Sequence, residues 1–258
     1  MSAVLSAVEP VSAQPDEVER TLRVQLAAAY RLAEHFGWSE LIYGHLTVRL
    51  PGETPTFLIN PYGLSYEEIT ASSLVRIDVD GNVVGESNHP VNRAGFVIHS
   101  AVHMANSVNK CVMHTHTRAG MAAAALEDGL LQVHMYSTGF HGRLAYHEYE
   151  GPSLDLGERE RLLADLGDAK AMILRNHGLL TVGRTIPEAF IWLYRLERAC
   201  QVQLDAMAAG PLHLIDPKVV EHSVAETDRF LESEAGIGEL EFQALMRKLH
   251  RLDPSFRD

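Results

Sequence analysis

Residues 110–117 read KCVMHTHT, an apolar, β-prone run that ends on two histidines, His114 and His116. On a β-strand, residues two apart point to the same face of the sheet and lie about 6–7 Å apart. Both imidazoles would therefore point toward one place, which suits two ligands of a single divalent ion. Because such histidine pairs are also common without a metal, the pair indicates a metal site only if further ligands join it.

A candidate for the next ligand comes later in the chain, where residues 171–183 read AMILRNHGLLTVG. The polar pair His177-Gly178 interrupts what is otherwise a buried, strand-like apolar run. Burying an imidazole without a partner is costly, so this break needs a physical reason. Two interpretations remain open from the pattern alone, a hydrogen-bonded core histidine and a metal ligand.

Outward from these two motifs, the chain alternates strand-like and helix-like segments. Apolar, β-prone runs predict strands at 44–50, 56–59, 74–78, 110–116, 171–175 and 178–182. Helical spacing of apolar residues predicts helices at 16–36, 96–105, 117–126 and 187–207, and 140–150 is interpreted as a loop. No glycine- or serine-rich linker divides the chain. We therefore predict a mobile N-terminal tail at 1–15, one α/β domain at 16–215 and a helical C-terminal extension at 216–258.

Composition excludes several classes of function. The 258 residues carry 22 Lys and Arg against 34 Asp and Glu, a formal charge of −12, which repels phosphate backbones and anionic lipid. No apolar run approaches the ~20 residues that a membrane span requires, and the N-terminus lacks the basic start of a secretory signal. Cys111 and Cys200 are too few for a disulfide framework. These features predict a cytoplasmic protein without nucleic-acid or membrane partners.

The motifs, taken in order, resemble those of the class II aldolase/adducin family. The similarity extends over residues 16–210, and the segments that carry it are 37–49, 58–68, 111–117, 174–179 and 183–190. The resemblance implies a three-layer α/β/α sandwich around a largely antiparallel sheet, and a homotetramer. It also implies one divalent ion on three histidines, which correspond here to His114, His116 and His177. Zn²⁺ is the expected ion, with Fe²⁺, Mn²⁺ and Co²⁺ as alternatives, and it would act as a Lewis acid with an open coordination position.

One residue of the family's sugar-phosphate aldolases is missing. Their catalytic glutamate corresponds to Gly95 in this chain, and glycine can neither bind a metal through a side chain nor accept a proton. The general base is therefore left open. This segment is closer to the adducin-like branch of the family, some of whose members are not enzymes.

The residues that would hold a sugar phosphate are also changed. Arg93 stands in place of a phosphate-binding serine, His45 replaces an asparagine after the glycine loop, and Gly63 follows a tyrosine rather than a threonine. We assign these three to substrate binding. A guanidinium grips a planar carboxylate with two hydrogen bonds, so we expect a small anionic oxo- or hydroxy-acid. The alternative is that Arg93 is only a surface charge.

Two further residues are candidates for acid–base catalysis. Tyr136 lies near the position of a proton-donating tyrosine that the family's aldolases contribute across a subunit interface, and His141 lies in a stretch rich in acid–base side chains. Packing for Tyr136 and a solvated surface position for His141 are the alternatives.

Three functions are compatible with this sequence. The leading hypothesis is a metal-dependent carbon–carbon lyase that acts by decarboxylation or aldol cleavage. An iron-dependent oxygenase on the same three histidines is the second. The third is a non-catalytic adducin-like assembly module, which the missing glutamate favours and the three retained histidines oppose.

Overall fold

The computed structural model describes residues 15–105, 108–151, 157–231 and 235–258, without the side chains of residues 15 and 93–96. Residues 1–14, which make up nearly all of the predicted tail, lie outside the described ranges. The described chain contains seven strands: β1 His45–Arg49, β2 Thr56–Ile59, β3 Val75–Asp78, β4 Cys111–Thr115, β5 Leu144–His147, β6 Ala171–Leu174 and β7 Gly178–Gly183. Its α-helices are α1 Pro15–His35, α2 Arg93–Ala105, α3 Arg118–Ala124, α4 Met135–Thr138, α5 Glu158–Leu166, α6 Ile186–Ala209, α7 Pro217–Leu231 and α8 Glu239–Leu252.

The strands form one sheet in the order β3-β2-β1-β4-β7-β6-β5. Every neighbouring pair is antiparallel except β5 and β6, which are parallel. The central pair, β4 and β7, places His114 opposite Leu180 and Thr115 opposite Leu179. The functional motifs of the sequence therefore lie side by side at the centre of the sheet.

Alternate residues of the central strands enter two different cores, as period-two side-chain geometry requires. Met113 and Ile173 join the larger core, against which α1, α3, α6 and α8 pack. Val112 and Met172 join a smaller core with residues of α2 and α5 on the opposite face. The three-layer α/β/α architecture around a largely antiparallel sheet is thus confirmed.

All the predicted strands and helices are present, but the interpretation of 140–150 as a loop is wrong. Leu144–His147 forms β5, at the edge of the sheet, where three of its four residues are only half-buried. Its pairing partner β6 lies beyond another helix, α5, which the sequence pattern also did not predict. A short edge strand shows little apolar alternation of its own. Its position depends on pairing with a partner that is distant in the chain, which a local pattern does not reveal.

The C-terminal segment after residue 215 is helical and packs into the main core. Leu231, Phe242, Leu249 and Phe256 are buried there. The backbone N–H of Ala71 donates to the carbonyl of Phe256 at 3.0 Å. None of the helices in the described ranges is both long and apolar enough to cross a membrane.

A buried polar cluster fixes α2 to β1 behind the central strands. The Thr47 hydroxyl lies 2.7 Å from Nδ1 of His99 and 2.7 Å from Nε2 of His103. The His103 ring also stacks on Phe57, with centroids 4.9 Å apart. Burial lowers the pKa of His103 to about 3. This histidine is therefore neutral in the folded protein at pH 7.

The neutral state of His103 predicts acid sensitivity. In the unfolded chain a histidine has a pKa near 6.5, so below that pH the unfolded state takes up a proton that the folded state refuses until about pH 3. The stability that depends on neutral His103 is therefore fully present above pH 6.5 and declines as the pH falls below that value. Between pH 7.5 and 5, we expect wild type to lose about 2 kcal/mol more unfolding free energy than His103→Phe. Urea denaturation in EDTA at each pH measures the unfolding free energy. Equal losses in wild type and His103→Phe would contradict the prediction.

Candidate metal centre

Three imidazoles converge where β4 ends and β7 begins. Nε2 of His116 lies 2.8 Å from Nε2 of His114 and 3.0 Å from Nε2 of His177. Among the described residues, this is the one group of three histidine, cysteine or acidic side chains whose ligand atoms lie close enough to share an ion. The structure therefore brings together all three predicted ligands.

Local backbone geometry explains why these side chains meet. His177 lies in the tight turn between β6 and β7, after Asn176, whose φ of 54° is in the left-handed region that asparagine tolerates. The next residue, Gly178, lies so close to β4 that a Cβ atom there would be 2.4 Å from the carbonyl oxygen of Thr115. Only glycine permits that approach, and it brings His177 against His116.

The protonation states suit metal binding. Nδ1 of His114 lies 2.9 Å from the carbonyl oxygen of Leu179. A carbonyl can only accept, so Nδ1 carries the hydrogen and Nε2 is left with its lone pair. Burial, reinforced by the neighbouring imidazoles, lowers the pKa of His114 well below its usual value and that of His177 to about 4. Burial also lowers the pKa of His116, although Glu40 opposes this shift.

These residues fit a divalent metal ion. Nitrogen ligands that bind one ion tetrahedrally at 2.0–2.1 Å lie roughly 3.3 Å apart, within a few tenths of an ångström of the distances here. Neutral imidazoles are the form that binds metal. The carbonyl of Leu179 orients His114 in the way that partners of metal-binding histidines commonly do. Three protein ligands leave a coordination position for a substrate.

The three histidines line an open cavity of about 440 Å³. Its other walls are a mixture of polar and apolar side chains. The polar and aromatic members are Glu40, Tyr43, His45, Asn92, Tyr149 and Asn176, and the apolar members are Ile98 and Met121. A cavity of this size and polarity suits a small polar molecule.

His45 is the predicted substrate-binding residue that the structure places in this cavity. It lies opposite His114 in the pairing of β1 and β4. Its Nδ1 is 3.1 Å from Oδ1 of Asn60, and the side-chain amide nitrogen of Asn92 is 3.4 Å from its Nε2. Because the Asn60 oxygen can only accept, Nδ1 carries the hydrogen and Nε2 presents a lone pair. Burial lowers the pKa of His45 to about 4, so the ring is neutral.

The other predicted substrate-binding residues have different outcomes. Gly63 lies in the turn after β2, with a φ of 108°, and is not part of the cavity wall. Arg93 begins α2, directly after the cavity residue Asn92, but its side chain lies outside the described residues, as do the surroundings of Gly95. Substrate binding by Arg93 and Gly63 stays a prediction.

The structure does not bring the two predicted acid–base residues to the histidines within one chain. Tyr136 on α4 packs against the main core, and its ring lies 5.1 Å from the guanidinium carbon of Arg195. His141 is exposed in the turn after α4. Neither residue is part of the cavity wall. A role for Tyr136 in the site of a neighbouring subunit stays a prediction.

Sequence reasoning did not single out several side chains of the cavity, among them Glu40 and Tyr149. Glu40 belongs to the loop between α1 and β1, and Tyr149 follows β5 with its ring centroid 6.1 Å from that of His177. Both lie in irregular segments, where apolar periodicity gives no signal. Glu40 could have been noticed because it lies just before the glycine loop that carries His45.

Known proteins are similar to this chain over most of its length. A family model described as the class II aldolase and adducin N-terminal domain matches residues 24–204. A solved aldolase II superfamily protein from Pseudomonas syringae is 46% identical with a TM-score of 0.86, over 97% of this chain and 98% of that one. An L-fuculose 1-phosphate aldolase from Glaciozyma antarctica PI12 is 33% identical with a TM-score of 0.84, over 97% of both chains.

A curated relative bears a different kind of name. Alpha-adducin from Rattus norvegicus is 43% identical over 92% of this chain, which spans 34% of that protein's length. Proteins named as aldolases and a protein named as an adducin are thus both similar to this chain at the level of whole-domain sequence.

Proposed function

This chain belongs to the class II aldolase and adducin family, and we propose that it is a metal-dependent carbon–carbon lyase. Its substrate would be a small oxo- or hydroxy-acid, cleaved by decarboxylation or by a retro-aldol reaction. The observation that carries the proposal is the convergence of three neutral imidazoles, whose ligand atoms all lie within 4.8 Å of one another, in an open cavity. A divalent ion held there, which we take to be Zn²⁺, supplies a Lewis acid for a substrate oxygen.

The chain's own residues would orient the substrate around that point. Nε2 of His45 accepts a hydrogen bond from the side-chain amide of Asn92, and a substrate hydroxyl would take the place of Asn92 as the donor to this nitrogen. Ile98 and Met121 form apolar parts of the same wall, which reduces competition from water for these hydrogen bonds. The proposal includes a homotetramer, as in the family's aldolases.

Two substrate classes compete within this proposal. Arg93 supports a carboxylate, because a guanidinium matches the geometry of a carboxylate and replaces a phosphate-binding serine of the sugar aldolases. The similarity to an L-fuculose 1-phosphate aldolase supports a sugar phosphate instead. We favour the acid because the phosphate-binding residues differ at several positions at once.

A substrate screen separates these classes. We expect a panel of oxo- and hydroxy-acids, assayed beside L-fuculose 1-phosphate by proton NMR, to yield turnover on an acid. Arg93→Ala should lower kcat/KM for that acid by at least about tenfold, since each charge-assisted hydrogen bond contributes ~1.5–3 kcal/mol. Arg93→Lys, which keeps the charge but loses the fork, should fall between wild type and alanine. Preference for the sugar phosphate, or a kinetically silent Arg93→Ala, would contradict this assignment.

The adducin similarity favours a second candidate, a non-catalytic assembly module. Gly95, at the position of the family's glutamate, agrees with it. Elemental analysis of untagged purified protein separates the candidates, because a module has no need of a metal. One equivalent of zinc supports the lyase, and one equivalent of iron points to an oxygenase.

A further inference from the structure

A carboxylate belongs to the wall of the cavity. Among the described residues that line it, Glu40 is the sole acidic side chain, beside four histidines, two tyrosines and two asparagines. The family's glutamate is absent at Gly95. Three neutral imidazoles bring no negative charge to a divalent ion, so a metal site built from them alone would keep a net charge of +2. A nearby carboxylate would reduce that charge.

Glu40 lies in the wall of the same cavity as the three predicted ligands, His114, His116 and His177. A carboxylate that shares a cavity with neutral imidazoles would stabilise a positive ion bound to them.

The loop that carries Glu40 is held in an unusual conformation. Trp38 is buried at its start, and the N–H of Tyr43 donates to the carbonyl of Glu40 at 2.9 Å. Between them, Leu41 has a φ of 53° and a side chain that is 74% exposed. A left-handed conformation costs a leucine roughly 1–2 kcal/mol, and this one gains little burial in return. Strain of this kind persists where the surrounding structure holds a segment in place, often at functional sites.

We propose that Glu40 is the acidic member of this metal site, with its carboxylate facing the bound ion from the rim of the cavity. It would take the place of the glutamate that Gly95 cannot provide. The inference rests on the proposed metal-dependent function. A carboxylate so placed lowers the net charge of the site, and it can accept a proton from a substrate and return it within the same turnover.

Titration of metal-free protein with Co²⁺, followed by visible absorption, tests the role of Glu40 without a substrate. We expect Glu40→Gln to weaken Co²⁺ binding about tenfold or more, as loss of a charged partner around a metal commonly does. Glu40→Asp keeps the charge and should recover most of the affinity. Glu53→Gln removes the same charge from another exposed loop, at 51–54, and should bind Co²⁺ like wild type.

Each outcome has a separate meaning. If Glu40→Gln and Glu53→Gln bind Co²⁺ with equal affinity, the assignment of Glu40 is wrong and the lyase proposal stands. If wild type itself binds no Co²⁺, the metal-dependent function is wrong. Circular dichroism of the Glu40 and Glu53 variants checks that each is folded, and we expect their spectra to superimpose on that of wild type.

Discussion

Replacing His116 with alanine should remove nearly all bound metal and all metal-dependent activity. Nε2 of His116 lies 2.8 Å from Nε2 of His114 and 3.0 Å from Nε2 of His177. Its loss leaves only two of the three predicted ligands. Loss of a supporting partner alone costs 10–100-fold in metal affinity, so loss of a ligand should cost more than about 100-fold. Inductively coupled plasma measurement of metal per chain decides the result.

His141→Ala is the matched control for this variant. It removes the same side chain from an exposed turn outside the cavity, and we expect full metal content. His116 is partly exposed at the cavity, so its replacement should leave the fold intact by circular dichroism. Equal metal content in His116→Ala and wild type would show that these histidines are not the ligands.

Gly178→Ala should destabilise the protein strongly and disturb the same site. The added methyl group would lie 2.4 Å from the carbonyl oxygen of Thr115 and 3.2 Å from a carbon of the His116 ring. Backbone on both central strands cannot give way cheaply, so β7 must move away from β4. Overpacking of a rigid site costs 1–3 kcal/mol and occasionally more, and we expect roughly 3 kcal/mol here. Urea denaturation of the metal-free protein measures the change.

A glycine with open space around it serves as the control. Gly142 has a φ of 69° and no atom within 4 Å of an added Cβ. Gly142→Ala should therefore cost only about 1 kcal/mol for the backbone conformation. If Gly178→Ala costs no more than Gly142→Ala, the close approach of β7 to β4 does not limit stability.

The three-histidine cluster could be predicted because its signals are largely local. Two histidines at strand spacing share a face, and a polar His-Gly pair inside an apolar run marks a tight turn. The pairing of β4 with β7 then brings His177 to the pair. The family resemblance supplied that long-range contact, which the pattern of either segment alone does not contain.

Glu40 and β5 could not be predicted, for two different physical reasons. Glu40 reaches the cavity through a loop whose path depends on the left-handed Leu41, a conformation that leucine does not favour. Leu144–His147 becomes a strand only by pairing with β6, across the intervening helix α5. The role of Tyr136 stays a prediction, because its motif position implies a contribution to a neighbouring subunit, whereas within one chain its ring packs beside Arg195.

The proposed ligands come from two separate parts of the chain, so the proposed metal centre would be completed late in folding. His177 follows His116 by 61 residues, so a ribosome working at 5–20 residues per second exposes the last ligand about 3–12 s after the first two. During that interval a nascent chain offers an incomplete set, from which an ion escapes readily. Closing so long a loop also costs conformational entropy, which no ligand contact offsets until the loop has closed. The fraction of newly made molecules that retain metal would therefore report the fraction in which β7 has already docked on β4.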